Sequence, residues 1–273
     1  MPMSSHRIAA TFQCLRQRKE KALIPYIMAG DPSLADTESL IVSLERAGAD
    51  LIEIGVPFSD PIADGPVIQR AAERAIRSGT SLSGVIRLVK SVRAITQVPL
   101  ILMTYYNTIM AMGEQRFCHE AVEAGVDGVI VPDMPPEEAG LLQKAADEQG
   151  LCVIFLLAPT STPSRQTDVI TRTRGFIYYV SMTGITGAKL RDLDSIQRNV
   201  LALQRKARKP VAVGFGIATP EEARHIAAFA DGVIVGSAFV RIIEEHQHAP
   251  DCMQAVSHFT AGLKAACSFN DAQ

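Results

Sequence analysis

The sequence predicts an α/β protein: a single (β/α)8 TIM barrel spanning 1–273, with an extra helix at its N-terminus. Three observations predict it. Eight short apolar, β-branched runs recur along the chain, and most stretches between them carry helix-period patterns. The runs are nearly unbroken in their apolarity, which suits a parallel sheet covered on both faces. The length of 273 residues accommodates such a barrel, which takes about 250 residues, plus a cap. A doubly wound open sheet is the alternative. It is disfavoured because no GxGxxG follows the first strand.

The elements follow in order. Ile8, Phe12 and Leu15 share one face of an amphipathic helix at the N-terminus. Strands are expected at Ile24 to Met28, Leu51 to Ile54, Pro99 to Met103 and Gly128 to Val131. Four more are expected at Cys152 to Leu157, Phe176 to Val180, Pro210 to Val213 and Gly232 to Val235. Helical patterns such as SLIVSLERAGA, GVIRLVKSVRAI and EEARHIAAFA lie between them. Three junctions echo one another: AGADLIEIG at 47–55, AGVDGVIVP at 124–132 and FADGVIVG at 229–236. In each, small residues end a helix, an Asp follows, and an apolar strand begins. The C-terminal stretch from 248 to 273 carries no motif.

Composition narrows the function. Hydrophobic residues make up 47% and charged residues 21%, enough to bury a large core. The formal net charge is −2 and no basic stripe is present, which argues against nucleic acid as a partner. No apolar run approaches the ~20 residues of a membrane span, and the N-terminus lacks the apolar core of a secretory signal. The five cysteines are scattered, with no CxxC pair and no zinc spacing. They read as small buried hydrophobes in a reducing, cytoplasmic compartment. His246 and His248, two apart, fall on different helix faces and suggest no metal site.

In such a barrel, chemistry belongs at the carboxyl ends of the strands. The segment EIGVPFSDPIADGP, residues 53–66, falls there. Glu53 stands in the apolar run Leu51-Ile52-Glu53-Ile54, where a charge needs a reason. It alternates with Ile52 and Ile54, so it shares a direction with Leu51. Facing the barrel mouth, it would have a raised pKa and could exchange protons near neutral pH. The competing reading is a structural acid paired with an Arg or Lys. Asp64 fits either a binding role or a turn or helix cap, and Asp60 reads as turn chemistry.

A second cluster is glycine-rich. Thr183-Gly184-Ile185-Thr186-Gly187 follows the sixth strand, Gly214-Phe215-Gly216 the seventh and Gly236-Ser237 the eighth. Loops at the seventh and eighth strands, beside a helix N-terminus, commonly hold phosphate in barrels. Met103, Tyr105, Tyr106, Leu157 and Phe215 would add apolar walls for a flat group. The residues alone thus suggest a small phosphorylated substrate facing acid–base carboxylates.

The motif GVPFSDPIADGPVIQRA at 55–71 resembles the signature of the tryptophan synthase alpha chain family. The resemblance extends in order through PYIMAGDP at 25–32, LMTYYN at 102–107, VPDMPPEE at 131–138, SMTGITGA at 181–188 and VGFGI at 213–217. It implies the cleavage of indole-3-glycerol phosphate to indole and glyceraldehyde 3-phosphate, in tryptophan biosynthesis. It implies Glu53 as general acid and base, and Asp64 as the partner of the indole N–H. Tyr26, Met103, Tyr105, Leu156, Tyr178, Thr186 and Phe215 would contact substrate, and Gly187, Gly216, Gly236 and Ser237 would hold phosphate. The resemblance implies a partner, the beta chain, in an α2β2 heterotetramer. That chain would carry pyridoxal phosphate, and no cofactor or metal is assigned here. Asp60 and Thr186 would link the loops after strands two and six. Met182 stands where some relatives carry a basic or polar residue.

Three other functions fit parts of this pattern. A different phosphate-binding isomerase or aldolase is one, although no lysine stands well placed for a Schiff base. A catalytically idle subunit that activates a partner is another, and the intact Glu53 and Asp64 argue against it. A stand-alone indole-releasing lyase is the third.

Overall fold

The computed structural model describes residues 4–180, 193–214, 216–247 and 249–268. Its strands are β1 (Ala22–Met28), β2 (Ile52–Gly55), β3 (Leu100–Met103), β4 (Gly128–Ile130), β5 (Cys152–Ile154), β6 (Leu156–Leu157), β7 (Ile177–Val180), β8 (Val211–Gly214) and β9 (Gly232–Val235). All pair in parallel, in the order β5-β4-β3-β2-β1-β9-β8-β7-β6. The expected run Cys152 to Leu157 therefore forms one stave in two pieces. Its first half pairs with β4 and its second half with β7, which brings the sheet round into a barrel. An open doubly wound sheet is excluded by that order.

The alternation of side chains separates two cores. Leu23, Ile27, Ile52, Ile54, Leu100, Leu102, Val129, Val153, Phe155 and Leu157 face the helix layer. Ala22, Ile24, Leu51, Ile101, Ile130, Cys152, Ile154, Phe176, Tyr178, Ala212 and Ile234 fill the interior. Ile8, Phe12 and Leu15 belong to that interior cluster. Helix α1 (Ser4–Gln17) thus lays its apolar face across the N-terminal end of the barrel, with Phe12 tilted against Phe176 at 5.6 Å between ring centres. The predicted cap is a floor.

The echoing junctions share one device. The carboxylate of Asp50 accepts the N–H of Leu23 at 2.8 Å, Asp127 that of Leu100 at 2.8 Å, and Asp231 that of Val211 at 2.9 Å. Each Asp precedes an apolar strand and ties it to the start of its neighbour. The same carboxylates also accept from Lys264, from the pair Arg7 and Arg93, and from Gln204, respectively. The C-terminal stretch, motifless as sequence, forms α12 (Cys252–Cys267), which supplies Lys264.

Between the strands also lie α2 (Leu34–Arg46), α4 (Leu82–Val92), α6 (Glu114–Ala124), α7 (Gly140–Gln149), α8 (Pro163–Arg172), α9 (Leu193–Ala207) and α10 (Pro220–Ala227), and three further helices position the site. The loop after β2 feeds α3 (Pro66–Arg77), and β9 feeds α11 (Ser237–His246). The segment after β3 becomes α5 (Tyr106–Met112). All five cysteines are free. Among the described residues, no helix is long and apolar enough to cross a membrane.

Candidate active site

The interior is aliphatic at its base, and toward the mouth β1, β2 and β7 present Tyr26, Glu53 and Tyr178. Tyr26 pairs in register with Glu53, and Glu53 with Ile101. This places Glu53 inside the barrel, one layer above Leu51 toward the mouth. It is 1% exposed. Among the described residues no cation pairs with it, and its Oε1 has no hydrogen-bond partner. The reading of Glu53 as an ion-paired structural acid therefore has no support. Burial, helped by the charge of Asp64, pushes its pKa up to about 8. At neutral pH it is a carboxylic acid with a proton to give.

Asp64 hangs over the same cavity from the loop after β2. The loop is built of tight turns, with Ile62 N–H bonded to Asp60 O at 2.9 Å and Asp64 N–H to Pro61 O at 3.0 Å. The Gln69 amide on α3 donates to Asp64 O at 2.9 Å and holds the turn down. Asp64 is not the helix cap; Gly65 occupies that position, with a proline at the start of the helix. Its carboxylate instead accepts the Tyr105 hydroxyl at 3.0 Å, and that hydroxyl accepts Ala63 N–H at 3.0 Å. Burial raises the Asp64 pKa to about 6, against the lowering effect of the Tyr105 bond. Asp60 is exposed and bonded to Ser59, as turn chemistry.

Two tyrosines flank the carboxylates. Tyr26 and Tyr178 are buried, and both hydroxyls are pushed well above their ordinary pKa, first by burial and then by the charges of Glu53 and Asp64. Each leans over a glycine of the next strand. A Cβ on Gly55 would collide with the Tyr26 hydroxyl, and one on Gly214 would stand 2.7 Å from that of Tyr178. The absence of side chains there lets both rings lie flat across the mouth.

Met103 and Leu156 are half-buried against the interior cluster, and Leu156 pairs in register with Tyr178. Leu157 is a correction: one residue later, it points into the helix layer. Tyr106 is a second correction. It sits on α5, packs against the outer core and donates to Glu114 at 2.6 Å. Phe58 was not singled out from the sequence, where it stands between turn formers. It stacks on Tyr105 with ring centres 5.0 Å apart. Its only sequence signal is an aromatic side chain within the carboxylate-bearing loop.

Across the mouth, Gly236 heads α11 with no side-chain cap, and Ser237 is its first residue. The N–H groups of a helix's first turn have no intrahelical partner, an arrangement that favours an anion. A Cβ on Gly236 would lie 3.7 Å from the Tyr26 Cβ, so this helix end adjoins the carboxylates' neighbour. Gly216 is exposed, with φ +75°. Met182, Thr186, Gly187 and Phe215 lie outside the described residues.

The profile of one family, the tryptophan synthase alpha chain, matches residues 12–268. The chain is 54% identical to the tryptophan synthase alpha chain of Geotalea daltonii over 259 residues, covering 95% of this chain and 98% of that one. Its identity to the corresponding protein of Geotalea uraniireducens is 52%, covering 95% and 97%. Among solved structures, tryptophan synthase subunit alpha from Legionella pneumophila superposes with a TM-score of 0.89 at 40% identity, covering 96% of this chain and 98% of that one. A Mycobacterium tuberculosis tryptophan synthase chain superposes with a TM-score of 0.88 at 35% identity, covering 96% and 98%.

Proposed function

Because the chain belongs to the tryptophan synthase alpha chain family, we propose that it is a lyase cleaving indole-3-glycerol phosphate, with Glu53 and Asp64 as its acid–base pair. The observation that carries the residue assignment is a buried, unpaired Glu53 beside a second carboxylate.

The substrate enters with its phosphate on the α11 N-terminus, at Gly236 and Ser237, and with Gly216 nearby. Gly187 is assigned to the phosphate and Thr186 to substrate contact, and both lie outside the described residues. The indole ring lies between Tyr26, Met103, Tyr105, Leu156 and Tyr178, with its N–H donating to Asp64; Phe215, assigned to substrate contact, lies outside the described residues. Glu53 gives its proton to indole C3. The ring becomes an indolenine cation, and ionised Asp64 offsets its charge at nitrogen. Glu53, now a carboxylate, takes the proton of the adjacent side-chain hydroxyl. The C–C bond breaks, its electron pair returns to the ring, and indole and glyceraldehyde 3-phosphate leave. Glu53 ends as it began. The protonated ring is the electron sink, so the step needs no cofactor from this chain.

The partner is the beta chain, in an α2β2 assembly, and the setting is the cytoplasm. Support for a docking face comes from three exposed hydrophobic residues, Ile62 (85%), Met110 (56%) and Leu141 (69%). They follow β2, β3 and β4, adjacent strands, so they gather on one side of the mouth. A partner seated there would press on the loop that bears Asp64.

Purified protein is given indole-3-glycerol phosphate, and indole is measured with and without the beta chain. Slow release alone and a rise of at least about tenfold with the partner are expected. Fast release that the partner leaves unchanged would point to a stand-alone lyase. No release under either condition would refute the reaction.

A further inference from the structure

The turn after β1, helix α3 and helix α11 converge on one guanidinium. Arg74, on α3, donates from Nε and Nη2 to the two oxygens of Asp31, each at 2.8 Å. Its Nη1 donates to Glu244 of α11 at 2.7 Å. Asp31 is 1% exposed. Arg70, one turn earlier, also grips Glu244, with two bonds of 2.9 Å, but its side chain is half exposed.

The two helices joined here serve opposite ends of the site. The loop carrying Asp64 runs directly into α3, and α11 begins at the proposed phosphate position. The surface packed between them is small and smooth. Ala71, Ala72 and Ala75 of α3, with Val67 and Ile68, lie against Tyr26, Met28 and Val240. An alanine face offers little interlocking to resist sliding. The fork of Arg74 supplies the directional constraint that such packing lacks, and its buried bidentate half is insulated from solvent.

We propose that Arg74 is a positioning residue that fixes the separation between the Asp64 loop and the phosphate-binding end of α11, and so tunes the site to a ligand that spans both. This inference rests on the proposed substrate placement. Arg70, screened by solvent, contributes little to the constraint.

The test compares a two-ended probe, indole bearing a three-carbon phosphate ester at C3, with a one-ended probe, glycerol 3-phosphate. Arg74→Gln should weaken the two-ended probe about tenfold and leave the one-ended probe within about twofold. Cleavage should lose kcat/KM mainly through a higher KM, Arg74→Lys should fall between, and Arg70→Gln should match wild type. Glu244→Gln keeps the Arg74–Asp31 pair and should show a smaller loss of the same kind, which keeps the test open should Arg74→Gln fail to fold. Equal losses for both probes, or no loss for the two-ended one, would overturn the role of Arg74. Failure of the wild-type protein to bind either probe would instead count against the substrate placement itself.

Discussion

Glu53 and Asp64 lie close enough to feel each other's charge, but their surroundings separate their titrations. The first is buried and its Oε1 has no donor among the described residues; the second keeps the Tyr105 hydroxyl. Between about 6 and about 8, Asp64 is ionised while Glu53 holds its proton, which is the pairing the first chemical step requires. The pH profile of kcat/KM should therefore be a bell with limbs near those two values. A profile still rising above pH 9 would be inconsistent with a protonated Glu53. The same shift predicts a stability effect. The folded protein binds the Glu53 proton more tightly than the unfolded chain does, between about 4.5 and about 8. This contribution is intact below that window, falls as pH rises through it, and is gone above it. Glu53→Gln should thus melt like wild type near pH 4.5 and later than wild type at pH 8.5, by on the order of a few kcal/mol. Thermal unfolding at the two pH values checks this. That Glu53 faces the barrel interior was legible in the sequence, because it alternates with Ile52 and Ile54 in an apolar strand and shares its direction with Leu51. Phe58 was not, since nothing local announces that a loop aromatic will stack. Leu157 was misread because one residue's shift in a strand reverses the side chain's face, and a continuous apolar run hides its parity.

Helix α1 shows how an element can be read from its period yet have its place decided by packing. Its apolar spacing was plain, and the structure puts that spacing against the lower interior of the barrel. Phe12→Ala should cost about 3 kcal/mol in urea unfolding by leaving a void against Phe176. It should leave kcat/KM within about twofold, because floor and mouth are at opposite ends. A large catalytic loss with little change in stability would contradict this division. The aspartate junctions were visible as a repeat, but their purpose was not. Their bonds run to the neighbouring strand, which a linear sequence does not display. At Asp127, burial raises the carboxyl pKa and lowers that of Arg93 to about 10, so desolvation outweighs pairing for both partners. The pair adds little net stability, while loss of one partner would strand the other. Its main effect is to set where β3 and β4 start. Helix α12 was missed because motif reading has no purchase on a helix whose signal is only its packing.

At the scale of the molecule, the eight-fold beat was enough to anticipate the barrel, because strands buried on both faces and alternating with helices have few other arrangements. The split stave through which it closes was not legible. It depends on Cys152 to Leu157 pairing first on one side and then on the other. The barrel concentrates its chemistry at one rim: two carboxylates and two tyrosines sit there, with the open N-terminus of α11 adjoining. The exposed Ile62, Met110 and Leu141 follow three adjacent strands of that barrel, so the proposed partner would dock on the loops that are proposed to hold substrate. Everything proposed for that rim depends on Glu53 giving one proton to indole C3 and taking another from the substrate hydroxyl. The most direct measurement is the rate of indole release by Glu53→Gln with saturating indole-3-glycerol phosphate and beta chain. A fall of about a thousandfold, with binding of the indole phosphate ester retained, is the result expected of a lost general acid and base. Cleavage within about tenfold of wild type would show that the proton comes from elsewhere.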